Sequence, residues 1–126
     1  SRPIQRGNLT LFPWIENRFD YLEACDLVIS RGGHETLMQS ISYGKPSIII
    51  PMPKHPEQYG NARRAMEMRV AKSMHQRDVT LEHLVQRVDD VIGSDRIKKV
   101  LTEINEKEHL GDGLNRTLET LRDSVD

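Results

Sequence analysis

The chain has 126 residues, 37% of them hydrophobic and 29% charged, with a formal net charge of −1. That is enough chain for one ordinary domain, and the near-neutral charge argues against nucleic acid as a partner and against a basic surface drawn to anionic lipid. A single cysteine, Cys25, excludes an internal disulfide framework and fits a reducing compartment, and no apolar run is long enough to span a bilayer.

A first strand is expected over Leu9 to Phe12, between Gly7-Asn8 and Pro13. Asn17 can cap a short helix to about Ala24, with Phe19, Leu22 and Ala24 at helical spacing. Leu27-Val28-Ile29 is short, continuous and branched, as in a strand buried on both faces. His34 to Tyr43 reads as a helix with Leu37 and Ile41 on one side and Gly44 as its stop. Pro46 to Ile50 is a second buried strand, and three prolines then stiffen the loop from Pro51 to Pro56. Glu57 to about Met68 forms a helix, and Val70 to Ser73 is a weaker strand candidate. Thr80 can cap an amphipathic helix to Val91, in which Leu81, Leu84, Val85, Val88 and Val91 point one way. Ser94 can cap the next, with Ile97, Val100, Leu101 and Ile104 as its buried stripe. A last helix is expected over about Leu114 to Arg122, after Gly111-Asp112-Gly113.

Alternation of strand and helix through the first half implies βαβ units: an α/β fold with a Rossmann-like parallel sheet of about four strands, helices on both faces, and a helical C-terminal third. In such sheets ligands bind beyond the carboxyl ends of the strands. Ser30 to Gly33 sits at one such end. Gly32 and Gly33 would let backbone approach a ligand, and the free N–H groups opening the His34 helix would face an anion such as phosphate. The plainer reading is a tight turn, since neither dinucleotide-binding nor P-loop glycine spacing is present. The loop Pro51 to Ala62 leaves the next strand at the same rim and delivers Glu57 and Gln58, a carboxylate and an amide suited to hydroxyl-rich ligands. Their plain reading is an acidic first turn with Gln58 in solvent. Trp14, the only tryptophan, follows the first strand and could stack on a nucleobase; a lone tryptophan is otherwise core. The histidines show no metal-ligand spacing, and no cofactor or metal is expected.

Taken together, three stretches resemble the C-terminal, donor-binding domain of GT-B glycosyltransferases, most closely the MurG-like group of family 28. They are "WIENRFDYLEACDLVISRGGHET", "SYGKPSIIIPMP" and "EQYGNA", within about Leu9 to Met68. The resemblance implies that Trp14 stacks on the uracil of a UDP-sugar and that the backbone of Ile15 bonds its edge. It implies that Gly32, Gly33, His34 and Thr36 surround the diphosphate, with Arg31 beside them. Gln39 stands where the family usually has a glutamate on the ribose, and it can still bond a hydroxyl. Glu57 and Gln58 would hold hydroxyls of the donor sugar. His34 would serve the diphosphate either as a cation or as a neutral hydrogen-bond donor.

The general base and acceptor site resemble contributions of an N-terminal domain, and family C-terminal domains usually begin with strands upstream of Leu9. With a start at Ser1-Arg2-Pro3, residues 1–126 are expected to form a single partial domain, either a fragment or a separately encoded subunit that needs a partner. The acceptor would be lipid-linked or a small molecule, the location cytoplasmic or at the inner face of a membrane through that partner, and an unpaired sheet edge would favour self-association. Two rivals are a GT-B-fold sugar-nucleotide epimerase and a non-catalytic Rossmann-like interaction module. The epimerase pattern has paired acidic residues on the helix after the glycines, where this chain has Glu35 alone.

Overall fold

Three short strands carry the sheet. In the computed structural model, which describes residues 2–109, β3 (Val28–Ser30), β4 (Ser47–Ile49) and β5 (Ala71–Ser73) pair in parallel in the order β3-β4-β5. Val28 stands opposite Ser47 and Ile48 opposite Lys72. The crossovers run through α2 (His34–Ser42) and α3 (Pro56–Glu67). All three residues of β4 are buried. Alternate side chains of a strand point to opposite faces, so both faces of β4 are covered. In the edge strand β3, by contrast, Ile29 is 48% exposed, so the expected burial of Leu27–Ile29 on both faces is not met, while the parallel pairing is that of a Rossmann-like sheet.

The core gathers Leu37, Met38 and Ile41 from α2, Ile48 and Ile49 from β4, and Ala62 and Ala65 from α3. Val91 of α4 (Leu81–Ile92) joins it, as do Ile97 and Leu101 of α5 (Asp95–His109). Small residues on the buried side of α3 let that helix lie close to the sheet. Asn105 fastens α5 to α2, donating from Nδ2 to the Ile41 carbonyl at 3.1 Å. The expected caps of the last two helices form. Thr80 Oγ1 accepts from the His83 N–H at 3.1 Å, and Ser94 Oγ accepts from the Ile97 N–H at 3.2 Å.

Three other expectations change. Leu9–Leu11 (β2) is a strand, but it pairs antiparallel with Ile4–Arg6 (β1) in a separate hairpin, so the parallel sheet has three strands among the described residues. A two-residue Gly7-Asn8 turn makes that local pairing available, and a short strand looks the same in sequence whichever partner it takes. Asn17 precedes α1 (Arg18–Ala24) without making a side-chain cap bond. On α4, Leu84 and Val88 pack against the core with Val91, whereas Leu81 and Val85 lie mostly exposed; they form a neighbouring stripe, and only one stripe meets the sheet. The helix expected near Leu114 to Arg122 lies outside the described residues.

Candidate functional site

The rim at the carboxyl ends of β3 and β4 brings Gly32 against the start of α3. Gly32 has φ +94°, and a Cβ there would come 2.8 Å from Ile49 Cγ2 and 3.2 Å from the Gln58 carbonyl oxygen. No other residue fits without displacing backbone. Gly33, the N-cap of α2, has φ −60°, and a Cβ built on it would meet nothing within 4 Å. Packing therefore explains the first glycine and leaves the second, which borders open space. The first four N–H groups of a helix lack intrahelical acceptors, and the first such bond of α2 is Leu37 N–H to the Gly33 carbonyl. The N–H groups ahead of it lie at the positive end of the helix dipole, where an anion would be favoured.

Asn61, fully buried on α3, donates from Nδ2 to the Gly32 carbonyl at 2.8 Å. Its Oδ1 is buried with no partner among the described residues. Sequence reasoning included Asn61 in the stretch "EQYGNA" but gave it no role of its own. The signal was its position three residues after Gln58, on the same side of one helix.

Glu57 and Gln58 open α3 beside the glycine turn. Glu57 is exposed. Gln58 is not free in solvent: its Oε1 accepts the Met52 N–H at 2.8 Å, which ties the proline-rich loop to the helix. The amide NH2 end of Gln58 therefore remains as its donor. His55, at the N-cap of α3, accepts the Gln58 N–H through Nδ1 at 3.4 Å.

On the other flank, Arg18 at the start of α1 pairs with Glu35 in the first turn of α2 at 2.9 Å, and Gln39 donates from Nε2 to the same Glu35 oxygen at 3.2 Å. A carboxylate only accepts, so the Gln39 carbonyl end is the one turned away from Glu35. The exposed ion pair adds little stability, about 0–1 kcal/mol, but it joins α1, and with it the segment that leads into α1, to α2. That segment carries Trp14, 80% exposed, and Ile15, half-buried; Trp14 is core in no sense. His34 and Thr36 are half-buried in the first turn of α2.

Arg31 takes a different course. Its Nη1 donates to Gln76 Oε1 at 2.6 Å and to the Ile50 carbonyl at 3.3 Å. It lines a cavity of about 310 Å³ with Ile29, Ser30, Ile50, Gln76 and Val79, and neither glycine of the turn nor the Glu57-Gln58 pair borders that space. Among the described residues no group of His, Cys, Asp or Glu is arranged to hold a metal, and no helix is long and apolar enough to cross a membrane.

Residues 2–114 match the glycosyltransferase family 28 C-terminal domain. The chain belongs to that family. It is 36% identical over 88 residues to UDP-N-acetylglucosamine–N-acetylmuramyl-(pentapeptide) pyrophosphoryl-undecaprenol N-acetylglucosamine transferase 2 of Bacillus thuringiensis (strain Al Hakam), a match covering 68% of this chain and 24% of that protein. This family 28 domain therefore spans about a quarter of the length of such curated relatives. Among solved structures it superimposes on the spinosyn forosaminyltransferase SpnP with a TM-score of 0.73 at 13% identity, covering 99% of this chain and 33% of that one. It superimposes on Acinetobacter baumannii MurG with a TM-score of 0.59 at 21% identity, covering 88% and 32%. At these identities the likeness shows the fold, a Rossmann-like α/β domain of the GT-B kind.

Proposed function

We propose that this family 28 domain is the donor-binding half of a glycosyltransferase that takes a UDP-sugar carrying a hexose or N-acetylhexosamine. The observation that carries this reading is the open Gly33 position at the head of α2, set against the opening of α3 through Gly32. It supplies an anion surface next to a carboxylate and an amide. In this reading Trp14 stacks on uracil and the Ile15 backbone bonds the base edge. Gly32, Gly33, His34 and Thr36 take the diphosphate, Gln39 offers its carbonyl to a ribose hydroxyl, and Glu57 and Gln58 hold the sugar. Arg31 serves the nucleotide only by leaving Gln76.

The reaction of the whole enzyme is a displacement. An acceptor hydroxyl, deprotonated by a base outside this chain, attacks the anomeric carbon. The bond from that carbon to the diphosphate oxygen breaks, and UDP departs with the electron pair. N–H groups already aimed at the diphosphate stabilise the charge as it develops, without having to reorganise. The acceptor, lipid-linked or small, and the missing half belong to a further domain or a partner at the inner face of a membrane, and the open edge of β3 is a surface for self-association.

Calorimetric titration of the full chain with UDP and UDP-N-acetylglucosamine tests the reading. Both ligands should bind. Trp14→Ala should weaken both by roughly tenfold or more, the worth of one base stack, while Glu57→Ala should weaken the sugar nucleotide alone. Absence of heat with either ligand would leave the interaction module standing, and a new epimer formed from UDP-sugar alone would establish the epimerase.

A further inference from the structure

The buried Asn61 has one hydrogen bond, and that bond ends on the peptide linking the two glycines. In a trans peptide the C=O and the next N–H point in opposite directions. With the Gly32 oxygen held by Asn61 Nδ2 at 2.8 Å, the Gly33 N–H points away from Asn61, and Gly33 itself is exposed. A peptide flanked by two glycines has an unusually low barrier to turning over, because neither residue confines φ and ψ. Turned over, it would present a carbonyl oxygen to an anion in place of an N–H.

We propose that Asn61 is a positioning residue: it locks the Gly32–Gly33 peptide with its N–H directed at the diphosphate of the bound nucleotide. This rests on the donor-binding reading above. The Gly32 carbonyl is the one side-chain hydrogen-bond partner of Asn61 among the described residues. The neighbouring Ala62 and Ala65, both buried, let α3 come close enough for so short a side chain to reach.

The test separates the phosphate from the nucleoside. UDP and uridine are titrated into the full chain, wild type and Asn61→Ala, with thermal melts of each. Asn61→Ala should weaken UDP about ten- to a hundredfold, the worth of a hydrogen bond to a charged group, and leave uridine within about twofold of wild type. Equal weakening of both ligands, or of neither, would overturn the proposal. Asn61→Asp keeps the volume but places an acceptor against the Gly32 carbonyl, so it should lose UDP selectively as well. Should both variants fail to fold, wild-type NMR decides: the Gly33 amide resonance should shift on adding UDP and stay in place with uridine, and a Gly33 amide unmoved by UDP overturns the assignment. Failure of wild type to bind UDP at all would refute the donor-site reading itself, and Asn61's role with it; bound UDP with an indifferent Asn61 would refute only the latter.

Discussion

A Cβ on Gly32 would collide with Ile49 Cγ2 at 2.8 Å, whereas one on Gly33 would meet nothing within 4 Å. Two adjacent glycines thus separate folding from function. Gly32→Ala forces an alanine to φ +94° and into the β4 side chain, and should destabilise the domain by about 1–3 kcal/mol in urea unfolding. Gly33→Ala sits at φ −60° and ψ 141°, which alanine adopts readily. It should change stability by less than about 1 kcal/mol, since a less disordered unfolded chain offsets the poorer N-cap that alanine makes. Yet its methyl group would stand where the diphosphate is read to lie, so UDP affinity should fall in calorimetry. A Gly33→Ala variant that is as stable as wild type and binds UDP equally well would remove the phosphate from this turn.

At the scale of elements, what was legible in the sequence and what was not divides by the range of the interaction. Leu27–Ile29 and Pro46–Ile50 read as strands of a parallel sheet because their apolar residues run without alternation, whereas Ala71–Ser73, with Lys72 at its centre, was a weaker candidate, and only β4 is buried throughout. The caps at Thr80 and Ser94 were legible because a cap bond spans three residues. Strand pairing is decided elsewhere in the chain, so Leu9–Leu11 gave no sign that Ile4–Arg6 would be its partner. The two apolar stripes of α4 differ only in which one meets the sheet. At the site, the glycines and the Glu57-Gln58 pair announced themselves by residue type. Asn61 did not, because its meaning lies in a contact across 29 residues. The closeness of α3 to the sheet also makes a prediction: Ala65 is fully buried, and Ala65→Leu has no room for its branched side chain. Overpacking there should lower stability by about 1–3 kcal/mol in urea unfolding, and it should weaken UDP binding as α3 shifts away from Gly32. Unchanged stability would mean that α3 is not held as tightly as its buried alanines imply.

For the whole molecule, the decisive fact is that the chain covers about a quarter of a transferase relative's length, yet contains both the glycine turn and the acid–amide pair. Binding and chemistry then come apart. A nucleotide that binds the folded domain and not the unfolded chain stabilises it by RT ln(1 + [L]/Kd), about 2.7 kcal/mol at a hundredfold excess over Kd. For a domain near this size that corresponds to a rise in Tm on the order of 10 °C. UDP should produce such a rise with the chain alone, and Asn61→Ala should need roughly ten- to a hundredfold more UDP to reach it. The displacement itself requires an acceptor hydroxyl and a base aligned with the anomeric carbon, and alignment of that kind accounts for a large share of a catalytic barrier. The chain incubated with UDP-N-acetylglucosamine and a candidate lipid-linked acceptor should therefore release no UDP above the background hydrolysis rate, and release should begin only when the acceptor half is added. Turnover by this chain alone would place a general base among its own residues and end its description as a donor half.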